Sequence, residues 1–195
     1  MKAIMDLHTH SLAAGHAYST LLENIDAALA VGIRYLGMSE HGPISPGGPH
    51  EFFFSNYKVI PREYDREEVS GRVVPVTGGR LHLLCGVEAN ICDTDGKLDL
   101  EERYLQKMDY ALASIHPFAF TAGSRKENTL ASVRAFQNPY VKILGHPDDG
   151  RRGTGAGSKA GARCIGSEQF FSKSPVVKTG RQGKYHRIVK DLHEI

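Results

Sequence analysis

The sequence has no tryptophan, only three cysteines and no run of eighteen apolar residues. Without such a run no membrane-spanning helix is expected. Cys85, Cys92 and Cys164 are too few and odd in number for a disulfide framework, which points to a reducing compartment and a cytoplasmic location. Cys85 and Cys92 read as small buried apolar residues. At the N-terminus Lys2 and Asp6 bring charge too early for the apolar region of a signal peptide. What the chain does have is 195 residues that are 41% hydrophobic, enough for a core, and ten histidines.

A net charge of +2 hides an asymmetry. Residues 151–195 carry ten Lys+Arg against three Asp+Glu, leaving 14 basic and 19 acidic residues in 1–150. A net of +7 is therefore joined to a net of −5. Residues 150–168 are Gly, Ala, Arg and Ser with almost no core formers, the composition of a flexible linker.

Before that break, strands and helices alternate. Strands are expected at 2–10, 34–41, 81–91, 110–117 and 141–147. Thr20-Leu21-Leu22-Glu23 reads as a capping box opening a helix whose stripe is Leu21, Leu22, Ile25, Ala28 and Leu29, closed by Gly32. Further helices are expected near 99–109 and 129–137, and an irregular segment over 42–80. The alternation predicts an α/β fold with a parallel sheet, barrel-like or doubly wound.

The histidines fall on this map in an ordered way. His8 and His10 end the first strand, two apart and so on one face. His16 follows in the loop, His41 ends the second strand, and Glu88 lies near the end of the third. His116 ends the fourth strand and His146 the fifth, each before a proline. In parallel α/β folds the carboxyl ends of strands converge on one functional face. Imidazole and carboxylate ligands without thiolate suit an open catalytic site for zinc, manganese or iron. His50 either contacts substrate or is solvated. His82 begins its strand, at the wrong end, and reads as structural; His186 and His193 lie on a basic amphipathic stretch. Asp93-Thr94-Asp95-Gly96 resembles the start of a calcium loop but lacks the closing Glu, and reads as a turn.

Asp6-Leu7-His8-Thr9-His10-Ser11 with His16, Ser39-Glu40-His41-Gly42-Pro43, Gly86-Val87-Glu88-Ala89-Asn90-Ile91, Ser114-Ile115-His116 and Gly145-His146-Pro147 together resemble the PHP (polymerase and histidinol phosphatase) domain. They resemble most its stand-alone bacterial phosphatase branch, over residues 1–149. The resemblance implies a distorted seven-stranded (β/α) barrel that holds up to three metal ions, usually zinc, and hydrolyses phosphate monoesters of small metabolites. By position, His8 and His10 would hold one metal and Glu88 would bridge it to a second, completed by His116 and His146. His16 and His41 would take the third. A metal-bound hydroxide would be the nucleophile, so no catalytic side chain is required.

The family's late Asp-x-His, which completes the first and third sites, has no counterpart on a strand after residue 149. Asp191-Leu192-His193 has the spelling, but Tyr185, Ile188, Val189 and Leu192 recur there at helical spacing. Three regions are thus expected: a metal-binding barrel portion at 1–149, a Gly/Ala/Arg-rich segment at 150–170, and a loop with an amphipathic helix at 171–195. The middle one has the composition that GC-rich DNA yields out of frame, and the barrel is expected to be incomplete at its C-terminal end. Fewer than three tightly bound metals and weak activity follow. Rival readings are a PHP-type phosphodiesterase or exonuclease and a metal-impaired, non-enzymatic remnant. The acidic first 149 residues, with no aromatic-basic stripe, argue against nucleic acid as partner; the expected partner is a small phosphorylated substrate, and the oligomeric state stays open.

Overall fold

The computed structural model describes residues 4–69 and 72–147, the side chains of 66–79 excepted, and the backbone of 177–178 and 185–186. Its centre is a six-stranded sheet. The strands are β1 (Met5–Thr9), β2 (Tyr35–His41), β3 (Glu63–Val69), β4 (Arg72–Asn90), β5 (Tyr110–Ser114) and β6 (Val141–Leu144). The path β1-β2-β4-β5-β6 is parallel throughout, and β3 adds antiparallel to the first half of β4.

Each new parallel strand is laid on the same side of the last, with no reversal of order. That is the winding of a (β/α) barrel; a doubly wound sheet reverses at a switch point. The sheet also curls. The Tyr110 hydroxyl on β5 donates to the Leu7 carbonyl on β1 at 2.8 Å, across two intervening strands. His8 on β1 and His146, two residues past the end of β6, have rings only 5.9 Å apart, although β1 and β6 are the outermost strands of the parallel path. The described residues therefore form a half-barrel.

Alternation along the strands sorts the core. On β4, Leu83, Cys85, Val87 and Ala89 face the helices, where they pack with Ile25, Ala28, Ala131 and Ala135. Inside the curl Leu7, Leu84, Tyr110, Leu112 and Ile143 form a smaller cluster. It floors the space below Glu88 and Ser114, the next inward residues. Gly37 and Gly86 make room for the Tyr110 ring there, since a Cβ on either would overlap it.

Helix α1 (Leu21–Val31) has the expected capping box, with Thr20 and Glu23 bonded reciprocally, and Gly32 ends it at φ 80°. Ile25 and Ala28 are buried, whereas Leu22 of the expected stripe is exposed. Helix α4 (Arg125–Phe136) starts four residues before the expected 129. Ser124 and Glu127 form a second capping box that accounts for the earlier start.

Three other expectations need correction. Residues 42–80 are not irregular throughout: they hold α2 (Glu51–Ser55), a 3-10 turn (Asn56–Val59) and the β3–β4 hairpin. The helix expected over 99–109 shrinks to α3 (Glu102–Leu105). Its flanks are committed elsewhere: Asp99 N–H donates to the Asn90 carbonyl and Asp109 N–H to that of Cys85. Cys92 is half-buried, unlike the fully buried Cys85. Apart from four residues, the expectations for 150–195, including the segment boundaries and the C-terminal helix, fall on residues outside those described. The four residues described there pair as two short antiparallel strands, β7 (Val177–Lys178) and β8 (Tyr185–His186).

Candidate metal centre

Seven of the eight residues singled out in the sequence meet at the carboxyl ends of the parallel strands. Glu88 is their centre, 1% exposed, and its two oxygens face different ways. Oε2 lies 3.1 Å from His8 Nε2, 3.3 Å from His10 Nε2 and 3.1 Å from His41 Nδ1. Oε1 lies 2.7 Å from His146 Nε2 and 3.5 Å from His116 Nε2, and accepts from the Ser114 hydroxyl at 2.7 Å. His16 joins from the loop after β1, its ring 5.0 Å from that of His10 and 4.8 Å from that of His41.

Local backbone features aim these rings. Asp6 pairs with Leu36 but Thr9 with Met38, so β1 carries one extra residue between them. This bulge lets neighbours Leu7 and His8 both serve the interior, Leu7 in the floor and His8 against Glu88. His146 has a φ of 31°, the one non-glycine residue with positive φ among those described. Such strain persists where surroundings over-determine it, and here it turns the imidazole onto Glu88. Gly145 precedes it because a Cβ there would overlap the Ser114 hydroxyl and come within 3.2 Å of Glu88 Oε1.

The electrostatics favour ligand chemistry. Burial pushes His10 down to about 4, overriding the nearby Glu88 carboxylate, so the imidazole is neutral and keeps a lone pair. Burial alone would raise Glu88, but His8, His10, His116 and His146 outweigh it and hold the carboxyl well below its usual range. Three groups bring one candidate donor atom each within 4.8 Å of one another and could hold a metal ion: His8/His10/Glu88, His41/Glu88/His116 and His10/His16/His41.

The donor set fits a cation. His10 Nδ1 is buried without a hydrogen-bond partner among the described residues, and His41 Nδ1, though 3.1 Å from Glu88 Oε2, makes no aligned hydrogen bond. Two ligands of a tetrahedral zinc, each about 2.0–2.1 Å from it, stand about 3.4 Å apart. The spacings of 3.1 and 3.3 Å around Oε2 are close to that.

His50 makes no described contact with Glu88 or the six rings around it. It is exposed and caps α2, its Nδ1 accepting from Phe52 N–H at 3.1 Å. His82 pairs with Glu63 at 2.7 Å and stacks on Tyr35 at the opposite end of the strands. Asp93 accepts from the Asp95 and Lys97 amides, closing a turn. Sequence reasoning missed four polar residues around the site. Ser114 holds Glu88; buried Asn90 and Ser45 form a network with half-buried Asp99 behind His116. Asn90 stood inside a recognised motif, two residues after Glu88 and therefore on its face of the strand, and that spacing was the available signal. Glu40, fully buried, accepts from the Ser11 amide and hydroxyl and so anchors the loop between His10 and His16.

This is an α/β half-barrel with a buried histidine–carboxylate cluster at its strand ends. No family model matches the chain. It is 43% identical over 148 residues to a probable phosphatase of Caldanaerobacter subterraneus subsp. tengcongensis, covering 75% of this chain and 53% of that protein. It is 44% identical over 147 residues to a probable phosphatase of Clostridium novyi, covering 75% and 54%. A probable phosphatase of Clostridium botulinum (strain Langeland) gives 43% over 146 residues, with the same coverage. The chain spans about half the length of the curated relatives it matches.

Proposed function

We propose that this chain carries the metal centre of a PHP-type phosphatase that hydrolyses phosphate monoesters of small metabolites. The observation that carries the reading is Glu88: one buried carboxylate presents each oxygen to a separate set of imidazoles. The relatives' name, probable phosphatase, supports the reaction class. The one-directional strand order supports a (β/α) barrel, of which the family has seven strands.

His8 and His10 would hold one cation with Glu88, His116 and His146 a second on the other oxygen, and His16 with His41 a third. Zinc suits these nitrogen-rich positions; manganese or iron are the alternatives. When bound, such cations supply Lewis acidity, polarising phosphoryl oxygen and acidifying water. The chain's own part is to present neutral imidazoles, as burial does for His10, and to keep Glu88 anionic between them. The apolar floor of Leu7, Leu84, Leu112 and Ile143 closes the site from below.

The test pairs elemental analysis with hydrolysis of p-nitrophenyl phosphate and its bis-ester. Expected are bound metal and a monoesterase activity that chelation abolishes and zinc restores. Faster hydrolysis of the diester would favour the phosphodiesterase reading. A chain that takes up no zinc, manganese or iron would refute the metal centre.

A further inference from the structure

We propose that Asn90 and Asp99 are positioning residues: together they fix the tautomer of His116 and tie to it the loop that follows β2. The inference rests on the cation reading of the site and adds residues that touch neither cation nor substrate. Asn90 ends β4, fully buried, with its Oδ1 2.6 Å from His116 Nδ1. The orientation of the amide is set from its other side. Its Nδ2 donates to Asp99 Oδ2 at 2.5 Å and to Ser45 Oγ at 3.0 Å. A carboxylate accepts only, so the NH2 group faces Asp99 and the carbonyl oxygen faces His116. His116 Nδ1 must then be the donor, which leaves the Nε2 lone pair on the side of Glu88. This is the arrangement by which an outer polar partner prepares a histidine to bind a metal.

Asp99 extends the tie beyond His116. Its carboxylate also accepts from the backbone amides of Asn90, at 2.7 Å, and Ile44, at 3.1 Å. Gly42 lies so close that a Cβ there would overlap it. Ser45, bonded to Asn90, belongs to the same 42–48 loop, and Gly47 of that loop backs onto Gly15, beside His16. One half-buried carboxylate therefore links the histidine at the end of β5 to the loops flanking His41 and His16.

The test uses zinc as the probe. With wild-type protein, 15N spectra of the histidine rings without metal should show His116 protonated on Nδ1; the Nε2–H tautomer would overturn the proposal. Competition with a chromogenic chelator then compares wild type with Asn90→Leu and the volume-conserving Asp99→Asn. Both variants should bind zinc about 10–100-fold more weakly at the Glu88/His116 position, with the first-bound equivalent elsewhere changed less than threefold. Folded variants with wild-type affinity at every position would overturn it. If a variant fails to fold, the tautomer of the wild-type ring decides. Failure of the wild type itself to bind zinc would instead strike the cation reading on which the proposal stands.

Discussion

Replacing Glu88 by Gln tests the centre most directly, because the change keeps shape and removes charge. A carboxylate offers two acceptor oxygens, whereas an amide offers one oxygen and one NH2 group. In the folded protein Oε1 accepts from Ser114 at 2.7 Å, and Oε2 faces His8, His10 and His41. The amide oxygen should keep the Ser114 bond, which turns the NH2 group toward the three histidines. That side loses its only anionic ligand and receives donors where a cation requires lone pairs.

Its magnitude follows from burial. Removing one partner of a buried charge pair costs about 3–5 kcal/mol, because the remaining charge is left uncompensated. With about 1.4 kcal/mol per tenfold, zinc should bind the His8/His10 position roughly 10²–10⁴-fold more weakly in Glu88→Gln. The assay is competition with a chromogenic chelator at neutral pH and fixed ionic strength, with circular dichroism to confirm the fold. A folded Glu88→Gln protein whose zinc affinities all stay within fivefold of wild type would refute the reasoning that this carboxylate organises the site.

Three further outcomes are expected. Gly145→Ala should destabilise the fold by about 1–3 kcal/mol in urea titrations, since its Cβ overlaps the Ser114 hydroxyl, and should weaken zinc binding by displacing Glu88; unchanged values would argue against the close approach. Tyr110→Phe removes the bond from β5 to the Leu7 carbonyl and leaves that buried acceptor without its donor, a loss of about 1–3 kcal/mol by the same titration. The capping-box carboxylates Glu23 and Glu127 are held below their usual range by bonds from Thr20 and Ser124. A depressed folded pKa means stability that is full above the ordinary carboxylate value and lost as pH falls through the folded one. The acid limb of the melting profile should therefore flatten in Thr20→Ala/Ser124→Ala, and an unaltered slope below pH 4.5 would count against both boxes.

How much of this was legible in the sequence depends on the range over which each signal acts. His8, His10, His41, Glu88, His116 and His146 could be placed together because each ends an apolar segment, and parallel strands bring such ends together without further information. The bulge in β1 could not be read: period-two alternation puts Leu7 and His8 on opposite faces, and only pairing with β2 shows the extra residue. Strand β3, Glu-Tyr-Asp-Arg-Glu-Glu-Val, lacked the apolar alternation that marks a half-buried strand, so the hairpin was hidden in a charged segment. The start of α4 is legible in Ser124-x-x-Glu127, a short-range capping signal that precedes the first apolar residues of the helix. Asp99 reads in the sequence only as the start of the helix expected near 99–109, because its partners Asn90 and Ile44 are 9 and 55 residues away.

The same contrast bears on how the described residues build the cluster. Each candidate ligand from His8 to His146 stands at or just past a strand end, or, for His16, on a loop pinned by Glu40 through Ser11. Because the strands are added in one direction, each new ligand takes its place beside those already set, and Glu88, on the middle strand of the parallel path, has neighbours on both sides. A carboxylate on an outer strand would reach imidazoles from one side only. The central place of β4 is thus what allows a single side chain to face two sets of imidazoles. It also makes Glu88, rather than any one histidine, the residue whose loss should be felt across the whole site.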